Sequence, residues 1–528
     1  MDGVLAELSE KLSLSSKEPR IRPLGVKRHY TLTPMTPIHE MSCPDLIITL
    51  DEVLNHIGFG KYQLFSFIVI GLMLINDGAE ILMLAFLISI LKNDWNLGAT
   101  QTSLFGSFVF AGFFLGAVFS ARVSDWFGRA KVLAGLEVLI YLFGIISAST
   151  SQFFFITVIR GLYGLLLGLQ FPACFNYLSE ITPQPHRLKI LLLTGFFVTL
   201  GKIFAAFIAD LTLANTASGD WHSMLFWVVQ PSALGLIALA FFLKESPYHQ
   251  LMIKKNVDEA IETLKSMWRF NYGEGQAAEF ANLFTARNKL GLKNWSDSHK
   301  IKTFSTRVSD FKHFMRQHFK TSNMSLWVTW FILPTLNYGI IYLLPTVLTT
   351  YAHFIGTDYT VIKVLAVVLA EVPSVAIAHY SIERNKLDSK RLIVLGMVGT
   401  LSSVMIMVLF HESYIILGMS SARFFLNICS QAALWHNAQL YPSSTRRLGI
   451  AVLGSWSRFA VIFMPWVVEF FLSFSVDALF LGYAALAGAG IISASFLPYA
   501  VRVEELEYEE MEIINRRMEI NMLDSGDL

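Results

Sequence analysis

Long apolar runs alternate with short polar segments along most of the chain. Each run is close to the roughly 20 residues that an α-helix needs to cross the hydrocarbon core of a bilayer. Twelve runs have this character, at about 62–91, 99–121, 131–150, 153–178, 188–212, 221–243, 323–350, 357–381, 391–410, 413–438, 449–472 and 475–500. The pattern predicts an all-α membrane protein with twelve transmembrane helices in two six-helix bundles.

The polar segments divide the chain into five regions. We predict a cytosolic N-terminal segment, a first bundle, a cytosolic central loop, a second bundle and an acidic cytosolic tail, at 1–61, 62–243, 244–322, 323–500 and 501–528. Basic residues concentrate in the short loops on the side of both termini, so the positive-inside rule places both termini in the cytosol. Ile47, Leu50, Leu54 and Ile57 recur at helical spacing before the first run. This spacing predicts an amphipathic helix lying on the membrane surface.

One sequence motif occurs twice at a fixed distance. The first copy is Tyr177-x-x-Glu180-x-x-Pro183-x-x-x-Arg187, and the second is His436-x-x-Gln439-x-x-Pro442-x-x-x-Arg446. Glu180 and Gln439 are 259 residues apart, and a second pair of related turns, around Asp125 and around Glu383, is offset by 258 residues. Repetition in register predicts two structurally equivalent halves, an organisation typical of secondary transporters.

The composition agrees with a membrane protein, since 54% of the residues are hydrophobic and only 15% are charged, against about 25% charged in soluble domains. A net charge of +1 gives no electrostatic reason to expect a nucleic-acid partner. Cys43, Cys174 and Cys429 indicate neither a disulfide framework nor a metal-ligand cluster, so we expect no metal and no cofactor. A phosphate-binding P-loop, a nucleophile–base pair and an HExxH motif are absent from the sequence, which argues against an enzyme.

Several ionisable side chains lie inside the apolar runs. Each costs about 2.5–3.5 kcal/mol at the centre of a membrane helix, so it is expected to face a cavity or a partner. The candidates for proton coupling or for lining a substrate cavity are Asp77, Glu80, Glu137, Arg160, Lys202, Glu371 and Arg458, with Tyr338 as an additional cavity residue. Arg423 and Glu469 are the other charged residues of the second half at this depth.

Two interpretations of these charges remain open. Asp77 and Glu80 share a helix face because they are three residues apart, and repulsion and loss of hydration favour a proton on one of them near neutral pH. The alternative, for Asp77 and for Glu80, is a buried ion pair with Arg160 that only locks the helices together. Lys202 either attracts an anionic solute or neutralises Glu137, with the ion pair favoured, and Arg458 has the same two interpretations.

A second group of candidates lies at the ends of the runs on the cytosolic side. Asp125, Gly128 and Arg129 form a predicted tight turn, in which Gly128 supplies backbone freedom and Arg129 can bind a carboxylate through two hydrogen bonds. Glu180 and Arg187 end the fourth run on the same side. With their counterparts Gln439 and Arg446, these residues are predicted to form a gate that latches the two halves together and breaks on opening.

These motifs together resemble the major facilitator superfamily. The resemblance is carried by Asp125-x-x-Gly128-Arg129, by Arg160 with Gly164 and Gly168, by the motif from Tyr177 to Arg187 and by Glu245-Ser246-Pro247. A closer resemblance, to the synaptic-vesicle-two-related branch near organic-ion and sugar porters, is carried by Ile57-Gly58-Phe59-Gly60-Lys61-Tyr62-Gln63, Asp77-x-x-Glu80 and Ala370-Glu371-Val372-Pro373.

The resemblance implies twelve helices around a central cavity and proton- or gradient-driven movement of a small organic solute, either an organic ion or a sugar-like molecule. It also implies that Arg160 and the acid of the first span take part in proton coupling. We expect the protein to be a monomer, and the alternative is that it belongs to a larger membrane assembly. We expect it in the plasma membrane or in an intracellular vesicle membrane. Gln439 stands where the family usually has Glu, which leaves a non-transporting receptor, trafficking or scaffold subunit as the alternative function.

Overall fold

The computed structural model of the chain describes residues 49–215, 218–276, 280, 284, 286–298, 309, 312, 322–350, 360–383, 388–440 and 443–498. All of these residues belong to the unit Ile47–Leu528. The acidic tail and the N-terminal segment up to residue 48 lie outside the described residues, and so do the predictions made for them. The described side chains also exclude those of Glu383 and Arg446.

A short helix, α1 (Leu50–Ile57), precedes the helices of the first bundle. These are α2 (Lys61–Asp94), α3 (Ala99–Phe127), α4 (Arg129–Ala148), α5 (Phe153–Ile181), α6 (Gln184–Thr212), α7 (Trp221–Val228) and α8 (Gln230–Phe242). Between α6 and α7 a short antiparallel ladder pairs β1 (Leu213–Asn215) with β2 (Ser218–Gly219). Gly128 separates α3 from α4 at a φ of 97°, a backbone conformation that glycine adopts without steric cost.

The central region contains α9 (Pro247–Met252), α10 (Val257–Tyr272), a 3₁₀ turn at Glu274–Gln276 and α11 (Ala286–Ser298). The helices of the second bundle are α12 (Ser322–Thr350), α13 (Thr360–Leu369), α14 (Glu371–Glu383), α15 (Ser389–Leu409), α16 (His411–Leu440), α17 (Ser443–Ile462), α18 (Met464–Leu472) and α19 (Val476–Ser495). Three crossings are therefore made by helix pairs, α7 with α8, α13 with α14, and α17 with α18.

Eleven helical segments of the described residues are long and apolar enough to cross a membrane. The helix α16 is not among them because polar residues, including Arg423, Asn427 and Gln431, interrupt its apolar sequence. Its 30 residues are more than enough to span a bilayer. With α16 included, the chain has the twelve crossings that the apolar runs predict. Equivalence of the two halves under superposition stays a prediction.

Glycines set the spacing of the helices in the first bundle. A Cβ atom added to Gly112 of α3 would lie 2.1 Å from the carbonyl oxygen of Gly161, and one added to Gly168 of α5 would lie 2.2 Å from that of Phe113. The same close approach joins α2 and α6, where a Cβ on Gly78 would lie 1.9 Å from the carbonyl oxygen of Val198. Small residues permit such backbone contact between membrane helices, and the contact holds the polar positions of α2 and α5 at a defined depth.

The helix α1 is amphipathic as predicted, and its apolar face packs against protein. Leu50, Val53, Leu54 and Ile57 are at most 2% exposed and lie in a cluster with residues of α2, α5, α10 and other parts of the central region. A position of α1 at the membrane surface stays a prediction, in which protein rather than lipid covers these four side chains.

The described central region packs on the first bundle. The Tyr272 hydroxyl donates to the carbonyl of Ile57 at 2.9 Å, and the Tyr62 backbone N–H donates to Asn271 at 2.7 Å. The ring of His56 stacks on Trp268 with a centroid distance of 5.6 Å. These contacts fasten α10 to α1 and to the start of α2.

We expect Gly112→Ala to destabilise the protein, because the added methyl group would meet the backbone of α5 and overpack the α3–α5 interface. Overpacking costs about 1–3 kcal/mol, so the melting temperature of the purified protein should fall. Gly135→Ala is the matched control, since a Cβ there has no neighbour within 4 Å. Equal melting temperatures for the two variants would contradict this account of the interface.

Candidate functional site

The two acids of α2 lie deep in the protein, with Asp77 1% and Glu80 4% exposed. Arg160 of α5 donates from Nη1 to Glu80 Oε2 at 2.8 Å. Both carboxylate oxygens of Asp77 lack a hydrogen-bond partner among the described residues. Of the two acids considered as partners of Arg160, Glu80 makes the ion pair; it lies about 4.5 Å further along the helix axis than Asp77.

Glu137 belongs to a polar cluster inside the first bundle. It accepts hydrogen bonds from Gln170 of α5 and Ser232 of α8, and Asn76 of α2 donates to the same serine. Lys202 is not its partner, so the favoured prediction of a Lys202–Glu137 pair is wrong. Amide and hydroxyl groups satisfy one oxygen of this carboxylate, while Oε1 has no partner among the described residues.

Lys202 instead crosses to the second bundle, where its Nζ lies 2.5 Å from Glu371 Oε2. Arg423 of α16 donates from Nε to the other carboxylate oxygen at 2.9 Å and also bonds Asn337. Glu371 is fully buried and begins α14 at the break that follows α13. Sequence analysis named all three charged residues but missed their association. The available signal was Pro373, two residues after Glu371, because proline interrupts the hydrogen bonds of a helix.

Arg458 of α17 and Tyr338 of α12 share a cavity with Glu80. Its other lining residues are apolar, namely Ile81, Leu84, Val109, Phe110, Phe113 and Val461. The guanidinium carbon of Arg458 lies 5.2 Å from the ring centroid of Phe113 and 5.0 Å from that of Phe171. The structure thus brings Glu80, Tyr338 and Arg458 to one region between the bundles. Asp77 lies about one helical turn before Glu80 on α2.

The predicted gate residues assemble only in part, at what we call the Arg129 end of the protein. Arg129 binds both oxygens of Glu180, with Nε–Oε2 at 3.0 Å and Nη2–Oε1 at 3.1 Å, and Asp125 at 2.9 Å. Sequence analysis assigned no role to two further members. Ser246 donates to Glu180 at 2.6 Å, and Glu245 accepts the backbone N–H of Arg129 at 2.7 Å. The signal was the Glu245-Ser246-Pro247 motif itself.

Arg187 lies outside this cluster and pairs with Asp51 of α1 at 2.8 Å. Gln439 is half-buried. All described members of the cluster come from the first bundle and the start of the central region. In the described state these residues therefore make no contact between the two halves, and a latch in the state closed on this side stays a prediction.

Contacts between the bundles occur at the opposite end, which we call the Lys92 end. Lys92 of α2 lies 3.0 Å from Glu469 of α18, and Thr102 of α3 donates to the same carboxylate at 3.1 Å. Ser107 donates to the carbonyl of Ile462 at 2.6 Å. Sequence analysis named Glu469 only as a charged residue at membrane depth and gave it no partner, because a pair formed across 377 residues has no local signature.

Among the described residues, no group of three or more His, Cys, Asp or Glu side chains is arranged to hold a metal ion. The model of the family described as sugar (and other) transporter matches residues 66–512. This chain belongs to the sugar (and other) transporter family. It is an integral membrane transporter of the major facilitator superfamily, so the predicted resemblance and the prediction that the chain is not an enzyme are confirmed.

This transporter is 24% identical over 478 residues to the synaptic vesicle 2-related protein of Xenopus laevis, covering 87% of this chain and 82% of the relative. It is 26% identical to the organic cation/carnitine transporter 7 of Arabidopsis thaliana, and the alignment covers 79% of this chain and 87% of that relative. A structure of the xylose transporter XylE from E. coli, in a partially occluded inward open conformation, superposes on this chain with a TM-score of 0.64 at 16% sequence identity. The superposition covers 83% of this chain and 98% of XylE. The structural similarity confirms the predicted all-α, twelve-helix fold.

We expect Arg129→Ala to destabilise this transporter by about 3–5 kcal/mol, because it leaves the buried carboxylate of Glu180 without its cation. Arg187→Ala removes an equally short ion pair, but its partner Asp51 has a half-exposed side chain (51%). Such a surface pair contributes about 0–1 kcal/mol. Melting temperatures of the two purified variants measure the difference. A loss as large for Arg187→Ala as for Arg129→Ala would refute the distinction.

Proposed function

We propose that this transporter moves a small organic solute, an organic ion or a sugar-like molecule, by alternating access coupled to protons. The names of its relatives support a small organic solute, since they include a transporter of organic cations and carnitine and a transporter of xylose. The cavity between the bundles supports it as well. Charged and aromatic side chains from α2, α3, α12 and α17 line that cavity.

One observation carries the proposal of proton coupling. Asp77 is buried about one helical turn from Glu80, which lines the cavity, and neither of its carboxylate oxygens has a hydrogen-bond donor among the described residues. An ionised carboxylate without donors is costly in a low-dielectric interior, so the site favours a bound proton. It can release that proton when a nearby cation or water reaches it. Glu80 is less suited to this role in the described state, because Arg160 already neutralises it at 2.8 Å.

Alternating access follows from where the bundles touch. The positive-inside rule places the Arg129 end in the cytosol, and both termini with it. The contacts made by Lys92, Thr102 and Ser107 with the second bundle then close the outer side. The described state is inward-facing in this proposal. Opening outward requires these contacts to break while the cytosolic ends approach each other.

Cross-linking at the Lys92 end tests this motion. We expect Lys92→Cys combined with Glu469→Cys, joined by a short bismaleimide, to abolish uptake into proteoliposomes because the outer side can no longer open. Cysteines introduced at the cytosolic vestibule should still react with a membrane-impermeant maleimide. Either single-cysteine variant treated in the same way is the control. Full uptake by the cross-linked double variant would contradict the assigned outer gate.

Asp77→Asn tests the coupling site, since it keeps the shape of the side chain and removes its titratable group. We expect accumulation driven by a pH gradient to be lost, while exchange of solute across the membrane continues. The measurement is uptake and counterflow in proteoliposomes with and without a pH gradient. Glu137→Gln is the comparison, because Glu137 is equally buried but its carboxylate has hydrogen-bond donors. Unchanged pH-driven accumulation by Asp77→Asn would place coupling elsewhere, with Glu137 the next candidate.

The same assay separates transport from the alternative of a receptor, trafficking or scaffold subunit. Absence of uptake by the wild-type protein for every solute that it binds would favour that alternative. The charges at membrane depth would then be structural. We place the transporter, as a monomer, in the plasma membrane or an intracellular vesicle membrane.

A further inference from the structure

The last turn of α10 lies against the point where α2 enters the membrane. The ring of Phe270 packs edge-on against that of Phe65, with a centroid distance of 5.7 Å and an interplanar angle of 87°, and against Tyr62 at 6.1 Å. Asn271 accepts a hydrogen bond from the backbone N–H of Tyr62 at 2.7 Å. Phe65 belongs to the membrane-crossing segment Lys61–Asp94. Phe270 is therefore held beside the first residues of a membrane helix.

Phe270 continues a strip of apolar side chains on the outside of α2. Leu64, Phe65 and Ile68 are exposed, and their spacing places them on one face of that helix. In a transmembrane helix, lipid covers an apolar face of this kind. Phe270 is itself 42% exposed although it packs on Phe65. Its free surface therefore adjoins the lipid-covered face of α2.

Two cations flank this aromatic contact. Arg269 directly precedes Phe270, and Lys61 directly precedes Tyr62. Both side chains are exposed, and neither makes an ion pair with another described residue. The acid nearest to Arg269 in sequence is the exposed Glu274, so two cations and one acid leave a net positive charge here. Exposed basic residues beside exposed phenylalanine and leucine are typical of protein segments that lie on an anionic membrane surface.

We propose that Lys61, Leu64, Phe65, Arg269 and Phe270 form a docking surface, the Phe270 patch, for anionic phospholipids of the membrane that the transporter crosses. With the Arg129 end in the cytosol, as proposed above, these are lipids of the cytosolic leaflet. Phe270 inserts among acyl chains beside Phe65, and Arg269 and Lys61 bind headgroup phosphates. The occupant is lipid because the patch is continuous with the lipid-covered face of α2. This lipid contact does not depend on which solute is transported.

The patch anchors more than α10. The Tyr272 hydroxyl donates to the Ile57 carbonyl at 2.9 Å, which joins α10 to α1. Asp51 of α1 pairs with Arg187 of α6 at 2.8 Å. Lipid bound at the Phe270 patch therefore holds α10, α1 and the adjoining ends of the first bundle at one depth in the membrane, and the second bundle moves relative to them.

The first test measures the surroundings of Phe270 in the full-length protein, in nanodiscs of phosphatidylcholine and phosphatidylserine. A nitroxide is attached at Phe270→Cys with Cys43→Ser, since Cys174 and Cys429 are buried. We expect oxygen, which concentrates in lipid, to relax the label more than a water-soluble nickel complex does. Leu290→Cys on α11 is the matched control. Leu290 is also an exposed apolar residue of the central region, and its label should show the opposite preference.

The second test measures hydrogen–deuterium exchange over the last two turns of α10 in nanodiscs with and without phosphatidylserine. We expect this lipid to slow exchange about five-fold or more, the effect of one basic residue at an anionic surface. Arg269→Gln combined with Lys61→Gln should remove the effect of phosphatidylserine. Arg269→Lys combined with Lys61→Arg keeps both charges and should retain it. The double variant Lys289→Gln with Lys293→Gln removes the same charge from α11 and is the matched control, which should also retain the effect.

Each test has an outcome that overturns the proposal. A label at Phe270 that is as open to water as the one at Leu290 would show that lipid does not cover the patch, and would leave it open to a protein partner. Exchange that does not respond to phosphatidylserine in the wild type, or that responds equally in the Arg269 and Lys61 glutamine variant, would refute headgroup binding. Loss of the response in the α11 control as well would show attraction by bulk charge and refute a specific patch.

Discussion

The cost of placing charge away from water governs this structure more than any other constraint. A charged side chain at membrane depth costs about 2.5–3.5 kcal/mol on insertion scales, and nearly every such residue here has a partner that offsets the cost. Arg160 binds Glu80, and Glu371 binds Lys202 together with Arg423. Asp77, Glu137 and Arg458 have no ion pair among the described residues, and Asp77 has no hydrogen bond there for either carboxylate oxygen. Asp77 is the group that we propose handles a proton.

Glycine-mediated contacts make this arrangement possible. The close approach of Gly78 to Val198, and of Gly112 to Gly161, brings α2 against α6 and α3 against α5. Backbones in such contact leave little freedom to slide, so the acids of α2 keep a fixed level relative to Arg160. The first bundle, with α1 and α10 fastened to it, therefore suits a rigid body. Its contacts with the second bundle include the ion pair of Lys202 with Glu371 and the aromatic contact of Phe110 with Tyr338.

The positions of the charged residues could be predicted from the sequence, but the partners of their ion pairs could not. The charges inside apolar runs were identifiable because each violates the apolar pattern. Arg129, Glu180 and Asp125 were identifiable through a repeated motif, and they do lie together. Lys202 was matched to Glu137 because both lie in the first half, yet its partner is Glu371 of the second half. Arg187 was grouped with Glu180 because the two are close in sequence, but its ion pair is with Asp51.

The sequence by itself determined the twelve apolar helices, their division into two sets of six and the positions at which charge enters the membrane. These properties depend on local periodicity and on the length of apolar runs, which a chain carries without reference to its fold. Only the tertiary structure decided that protein covers the apolar face of α1, that Glu80 pairs with Arg160 and that no described residue donates a hydrogen bond to the Asp77 carboxylate. Such partners lie 80 residues apart for Glu80 and Arg160 and 169 apart for Lys202 and Glu371. Which charged residues meet depends on the rotation and depth of each helix in the bundle. Side-chain packing between segments far apart in sequence sets both.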